Sequence, residues 1–358
     1  MLKKIFACAI VLAFNLTTNA QDTTVPTAPK PTISGYVDVY YRYNLSNPKR
    51  DMGSFNNYTS FTNSHNSFEF NMASLKLEHS YKKVGMVADI GFGKRAEEFS
   101  YVDDATRFII KQAYLTYSPL DNVTFTAGSW ATHVGYELVD PYANKNYSMS
   151  YMFSKGPFFH TGLKAEASLG KSGFMVGVTN PTDLKSASFA QKFLIAQYSI
   201  TNANENVSAY INYQGGNFDH QTRMKQLDLT VTSTFGKYGI GYNGTITSLA
   251  SKVDGKYIDP SAWWGSALYL NADPFSWLGF TLRGEYFNDD KKLTDVFSGV
   301  DPGGSVFATT LSANFKIDNL TIIPELRFDK ANREIFIKNS GLPIRNTSTA
   351  LIAAIYKF

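Results

Sequence analysis

The chain has 358 residues, with 34 basic and 30 acidic side chains, 15% aromatics, 18% charged residues and one cysteine. The near-balance of charge gives no reason to invoke nucleic acid. Cys8 lies in an N-terminal leader, so the rest of the chain has no disulfide framework, no thiol chemistry and no cysteine for zinc.

The leader reads as a secretory signal. Lys3 and Lys4 precede a mostly apolar stretch, 5–16, and Thr18-Asn19-Ala20 supplies a cleavage site near Ala20. Residues 21–32 form a flexible Pro/Thr linker. No later apolar run approaches the ~18 residues of a membrane helix. Crossing by strands stays open, because barrel strands signal only as short alternating segments.

Alternation starts at Ile33 and continues to the end. It predicts sixteen strands: 33–44, 66–79, 84–94, 107–118, 122–131, 160–170, 173–180, 191–200, 205–214, 224–235, 238–248, 263–272, 277–288, 306–316, 320–329 and 347–358. Short turns such as Lys82-Lys83, Gly236-Lys237 and Asp318-Asn319 alternate with long polar loops, 45–65, 95–106, 132–159, 181–190, 215–223, 249–262, 289–305 and 330–346. A sandwich has no reason to make every second connection long. An up-and-down transmembrane β-barrel does, with short periplasmic turns and long external loops. The fold class is therefore all-β, a single barrel over 33–358.

The two faces of the strands support this. Leu278, Phe280 and Leu282 oppose Thr281, Arg283 and Glu285; Leu326 and Phe328 oppose Glu325 and Arg327; Val37 and Val39 oppose Asp38 and Arg42; Leu227 and Leu229 oppose Asp228. A charge facing lipid near mid-membrane costs roughly 2–4 kcal/mol for Arg or Lys, so the charged faces must point inward. Asp38, Arg42, Asp228, Arg283, Glu285, Glu325 and Arg327 are the expected pore-lining set. Arg42, Arg283 and Arg327 facing Asp38, Glu285 and Glu325 would set a transverse field. Strand 66–79 changes phase between Met72 and Leu75, which predicts a bulge near Ala73 with Phe68, Phe70 and Met72 outward. Strands 191–200 and 263–272 are apolar on both faces in places and have no assignable orientation. Tyr81, Tyr117, Phe235, Tyr238, Phe275 and Trp277 mark an aromatic girdle at the short turns.

The final strand puts Ala350, Ile352, Ala354, Tyr356 and Phe358 on one face. It resembles the closing strand of Gram-negative outer-membrane barrels, with a terminal Phe and an aromatic two residues earlier. The resemblance makes Tyr356 and Phe358 the barrel-closure residues and the outer-membrane assembly machinery a partner through this strand.

The longest connection, 132–159, is too long to be structureless without a purpose. The residues around it, Gln112-Ala113-Tyr114-Leu115-Thr116-Tyr117, Gly128, Gly135-Tyr136-Glu137, Asn146-Tyr147-Ser148, Pro157 and His160-Thr161-Gly162, resemble the core of the OmpL-like β-barrel porin family of Gram-negative bacteria over 107–180. The resemblance implies an outer-membrane porin for passive diffusion of small hydrophilic solutes. In sixteen-stranded porins a loop at this position folds into the lumen, which would make Tyr136, Glu137, Asp140, Lys145, Tyr147 and Lys155 the constriction residues; a loop folded outward or over the barrel mouth is the alternative. Two acids and two lysines cancel and predict no strong ion preference. The alternative is a plugged barrel serving as a binding or assembly scaffold of a surface or secretion complex. Expected partners are outer-membrane lipid and small solutes. A homo-oligomer is open, since trimers are common among porins.

No cofactor or metal is expected: His65, His79, His133, His160 and His220 form no H-E-x-x-H motif. Ser148 or Ser150 near His133 and His160 is the one hydrolytic constellation the sequence offers.

Overall fold

The computed structural model describes residues 29–52 and 55–358. The signal at 1–20, its cleavage near Ala20 and most of the 21–32 linker lie outside the described residues. Sixteen strands run antiparallel: β1 Thr32–Asn44, β2 Ser67–Tyr81, β3 Val84–Phe92, β4 Ile110–Leu120, β5 Val123–Ala131, β6 Phe159–Leu169, β7 Ser172–Thr179, β8 Phe193–Thr201, β9 Val207–Asn217, β10 Thr222–Phe235, β11 Tyr238–Val253, β12 Ser261–Phe275, β13 Leu278–Asp289, β14 Gly304–Ile317, β15 Leu320–Ala331 and β16 Asn346–Lys357. Each pairs with its sequence neighbours, and β1 also pairs with β16 from Tyr36↔Lys357 to Asn44↔Thr349. The ring is closed, so no edge is left unpaired in lipid.

Closure is completed at the terminal residue. Gly35 N–H donates to the Phe358 carbonyl at 3.0 Å, and Phe358 N–H donates to the Gly35 carbonyl at 2.9 Å. The Phe358 ring lies over the glycine: a Cβ there would come within 2.8 Å of the ring and 2.5 Å of the Ser74 carbonyl oxygen.

Side chains sort as the alternation requires. Leu227, Leu229, Leu282, Leu326 and Ile352 are exposed to the outside, while Asp228, Arg283, Glu325 and Thr349 are buried inside. Phe275, Trp277 and Phe315 stack in series at the periplasmic end, with ring centroids 5.6 and 6.3 Å apart. Gly236 in the β10–β11 turn has φ +59, the left-handed geometry that a two-residue hairpin needs.

Three expectations are corrected. The β2 bulge falls at Asn71, since Asp38 pairs with Met72 and Val39 with Phe70. Met72 therefore turns inward and is buried, rather than following Phe68 and Phe70 outward. The loop expected at 215–223 shrinks, because β9 and β10 extend to Asn217 and from Thr222. The loop expected at 249–262 is largely a continuation of β11, with Lys252 and Val253 pairing Tyr257 and Lys256. The strands without assignable faces, β8 and β12, owe their apolar inner residues to packing inside the barrel. Ile195 meets Trp130 and Met175, and Trp263 and Tyr269 meet Tyr151 and Met152.

Substituting Gly35→Val should cost about 1–3 kcal/mol by overpacking the seam. The change would be read as loss of heat-modifiable migration on gels and a lower denaturant midpoint after refolding into detergent. Unchanged closure and midpoint would remove the ring-over-glycine contact as a determinant.

Candidate functional site: the lumen and its inserted loop

Loop 132–158 enters the barrel and runs its full length. Near its tip, Tyr142 packs against Tyr36 with centroids 5.1 Å apart and lies 4.1 Å from the Lys357 ammonium, at the periplasmic end of the β1–β16 seam. Lys145 reaches Asp273, beside the β12–β13 turn, at 2.5 Å. The returning half carries a short helix, α1, Tyr151–Lys155, capped by the Ser150 hydroxyl accepting from Phe153 N–H at 3.1 Å.

An irregular backbone buried in a barrel has no ladder to satisfy its peptide groups, so the wall must supply the partners. Wall acids take its N–H groups. Glu325 accepts from Tyr147 N–H at 2.7 Å and Ser148 N–H at 3.1 Å. Glu285 accepts from Tyr151 and Met152 N–H, both at 3.0 Å, at the start of α1. Asp228 accepts from Gly135 N–H at 3.1 Å. Wall arginines serve its carbonyls. Arg283 donates to Ser148 O at 2.7 Å and Met149 O at 3.3 Å, and Arg327 donates to Met149 O at 2.7 Å.

The expected pore-lining residues all point inward, yet none lines open water. Asp38, Arg42, Asp228, Arg283, Glu285, Glu325 and Arg327 are all buried, at most 5% exposed. Arg42 serves another loop, donating to the carbonyls of Phe55, Asn56 and Ser64. Asp38 accepts from Tyr147 O–H at 2.5 Å and Asn71 at 3.0 Å. The transverse field expected across open water is replaced by charges spent on anchoring loops.

The constriction residues divide. Tyr136 stacks on Tyr269 with centroids 4.0 Å apart. Glu137 is buried against Arg283 at 2.5 Å, and Tyr147 is fully buried, so neither faces solute. Asp140 meets Lys111 at 2.6 Å and the Tyr36 hydroxyl at 2.9 Å. Lys145 is half-exposed at its pairing with Asp273, and Lys155 meets Asp295 at 2.5 Å at the external opening. At the loop's exit, Asp183 accepts from Phe158 and Phe159 N–H at 2.7 and 3.1 Å, and burial pushes its carboxyl up to about 7.

Sequence reasoning missed Arg95. It is fully buried, donates to Val139 O at 2.8 Å and lies over the rings of Phe61 and Tyr147 at 4.8 and 5.2 Å. It sits in a connection read as an external loop, and nothing local marks it. The candidate Ser/His constellation is taken apart. Ser150 caps α1, Ser148 carries no bond to an imidazole, and His133 bonds Tyr213 O. Among the described residues no three His, Cys, Asp or Glu side chains converge as a metal site.

The packing is continuous around the ring. Each of the sixteen strands has an inward residue that is buried, from Asp38 through Asp89, Trp130, Ile195, Asp228 and Arg283 to Thr349. Among the described residues, open space is left near both ends of the barrel. The outer space, about 760 Å³, is lined by Tyr101, Phe218, Lys155 and Asp295 among others. The inner space, about 340 Å³, is lined by Glu78, His79, Tyr114 and Thr116 among others.

Comparison with known proteins recognises this chain as a barrel porin. The model of the family described as "Putative beta-barrel porin-2, OmpL-like" matches residues 30–358. The chain belongs to this family. No curated protein matches. Among solved structures, the anion-selective porin from Comamonas acidovorans aligns with TM-score 0.62 at 10% identity, covering 92% of this chain and 99% of that one. The outer membrane channel DcaP of Acinetobacter baumannii aligns with TM-score 0.61 at 13% identity, covering 94% and 99%. The trimer form of OmpT from Vibrio cholerae aligns with TM-score 0.58 at 10% identity, covering 92% and 99%. At these identities the likeness is one of fold. It shows for this OmpL-like porin a closed antiparallel barrel like theirs.

Arg283→Ala should strand Glu137 in the interior. Breaking such a buried pair costs about 3–5 kcal/mol. The strands do not depend on it, so the barrel should persist while loop 132–158 becomes sensitive to added protease. A loop as resistant as wild type would show that Arg283 does not hold it.

Proposed function

We propose that this OmpL-like porin passes small hydrophilic solutes across the outer membrane by diffusion, with loop 132–158 as its movable constriction. The observation that carries this reading is the wall left free by the loop. Lys76, Glu78, Lys164 and Glu166 point into the barrel and are partly exposed, paired as Lys76–Glu78 at 2.8 Å and Lys164–Glu166 at 2.9 Å. Charges on an inner wall call for water or full pairing. A barrel stacked shut for strength alone would be better served by apolar residues there. The mechanism has no chemistry: polar strand faces carry a water column, and the loop sets its width. Balanced charge on this free wall favours weak ion selectivity.

The burial of an inward residue on every strand supports the second reading, a plugged barrel acting as a scaffold. Outer-membrane lipid, the assembly machinery acting on the strand that ends at Phe358, and a homo-oligomer are the partners proposed with either reading. A signal removed near Ala20 would deliver the chain to the periplasm.

Liposome swelling separates the two. A porin admits small sugars, and replacing 137–155 by a short Gly-Ser linker should raise single-channel conductance at least threefold. A folded barrel that excludes small sugars both with and without the loop would leave only the scaffold.

A further inference from the structure

The loop is held unequally around the wall. Toward β13, β15 and β1 its contacts are charge-assisted, through Arg283, Glu285, Glu325, Arg327 and Asp38. Toward β5–β9 the loop is held by neutral hydrogen bonds, Thr132 to His160 at 3.2 Å, His133 to Tyr213 O at 3.2 Å and Gln197 to His133 O at 3.5 Å, beside the wall cluster of Trp130, Met175 and Ile195, with no ion pair between the loop and these strands among the described residues. His133 lies where the loop leaves β5 and His160 lies on β6 just past its return, with ring centroids 5.0 Å apart. His133 Nε2 lies 3.2 Å from the Tyr213 carbonyl. A carbonyl only accepts, so this nitrogen carries the proton and Nδ1 of the neutral ring is a bare acceptor. That Nδ1 and the Nδ1 of His160 are both shut from solvent without a partner.

The charged groups around the pair do not favour an imidazolium. Lys164, on the same strand as His160, lies 5.3 Å from the Trp130 ring and is held by Glu166 at 2.9 Å. From β10, Asp228 is engaged by Gly135 N–H, Asn212 and Asn243. From β8 and β9 the ring meets the carbonyls of Ala196 and Tyr213, which favour a protonated ring but are outweighed by its burial.

We propose that the β5–β9 seam is where the loop parts from the wall, and that protonation of the His133–His160 pair drives the parting, so the channel opens in acid. The inference rests on the porin reading. A proton on either ring places a cation in a dry seam, beside a second imidazole and Lys164. Water must enter to solvate it, and entering water is what a conducting path requires. Burial pushes the His133 imidazole down to about 4 from an ordinary 6.5. A base depressed in the closed form leaves that form at full stability above the open-state value, and withdraws the stability as pH falls toward the closed-state value.

The test is planar-bilayer recording of the refolded mature protein between pH 7.5 and 4. Open probability should rise at least tenfold on acidification. His133→Gln with His160→Gln should flatten that rise, whereas Asp183→Asn, at the loop's exit, should keep it. Barrel formation is checked by heat-modifiable migration. Should the double variant not fold, His133→Gln alone, off the barrel strands, should cut the acid response at least threefold. A wild-type response that is flat or falls in acid overturns the inference, as does a full response in the folded variant. Silence of the folded wild type at every pH overturns the porin reading and the inference with it.

Discussion

A peptide group inside a barrel must find a hydrogen-bond partner, and loop 132–158 carries many such groups with no strand beside them. This constraint accounts for the chemistry of the inner wall. Glu285 and Glu325 each face a pair of loop N–H groups, and Arg283 and Arg327 face loop carbonyls. Replacing a ladder by charged side chains has a particular consequence. The acids accept and the guanidinium forks donate in fixed geometry, so the loop is seated in one register along the wall. The same side chains could not be lost singly without leaving a charge or a peptide group unsatisfied.

The outside of the barrel obeys a different constraint. It meets lipid, so apolar side chains alternate outward, and the ladder must close on itself. The Gly35–Phe358 pair shows how narrow the tolerance is where the chain's two ends meet, because only a residue without a Cβ admits the terminal ring. Bulges then adjust what each strand offers to the interior. The one at Asn71 turns both Asn71 and Met72 inward, and Asn71 joins Asp38 in holding the Tyr147 hydroxyl.

The uneven grip on the loop connects packing to function. A loop fixed equally all round would be a plug, and one fixed nowhere would leave a bare pore. Here charged side chains of β13, β15, β1, β4 and β12 grip the loop, and toward β5–β9 it is held by neutral hydrogen bonds beside the wall cluster of Trp130, Met175 and Ile195. Motion on that side would leave the anchors in place and would uncover a wall that already carries Lys164 and Glu166.

The amino-acid sequence alone determined the barrel: sixteen alternating segments, the rhythm of short and long connections and the terminal aromatic all follow from local periodicity and turn chemistry, which neighbours in the chain decide. It also determined which face each charged side chain would take, since a charge in lipid is prohibitive whatever the tertiary detail. Only the tertiary structure decided what those charges meet. Arg283 and Glu137 are 146 positions apart, and Tyr147 and Glu325 are 178 apart. Alternation carries no information about whether an inward charge faces water or a returning loop. Arg95 is the clearest case: its connection reads as solvent-exposed, and its burial depends on a loop that enters the barrel from another part of the chain.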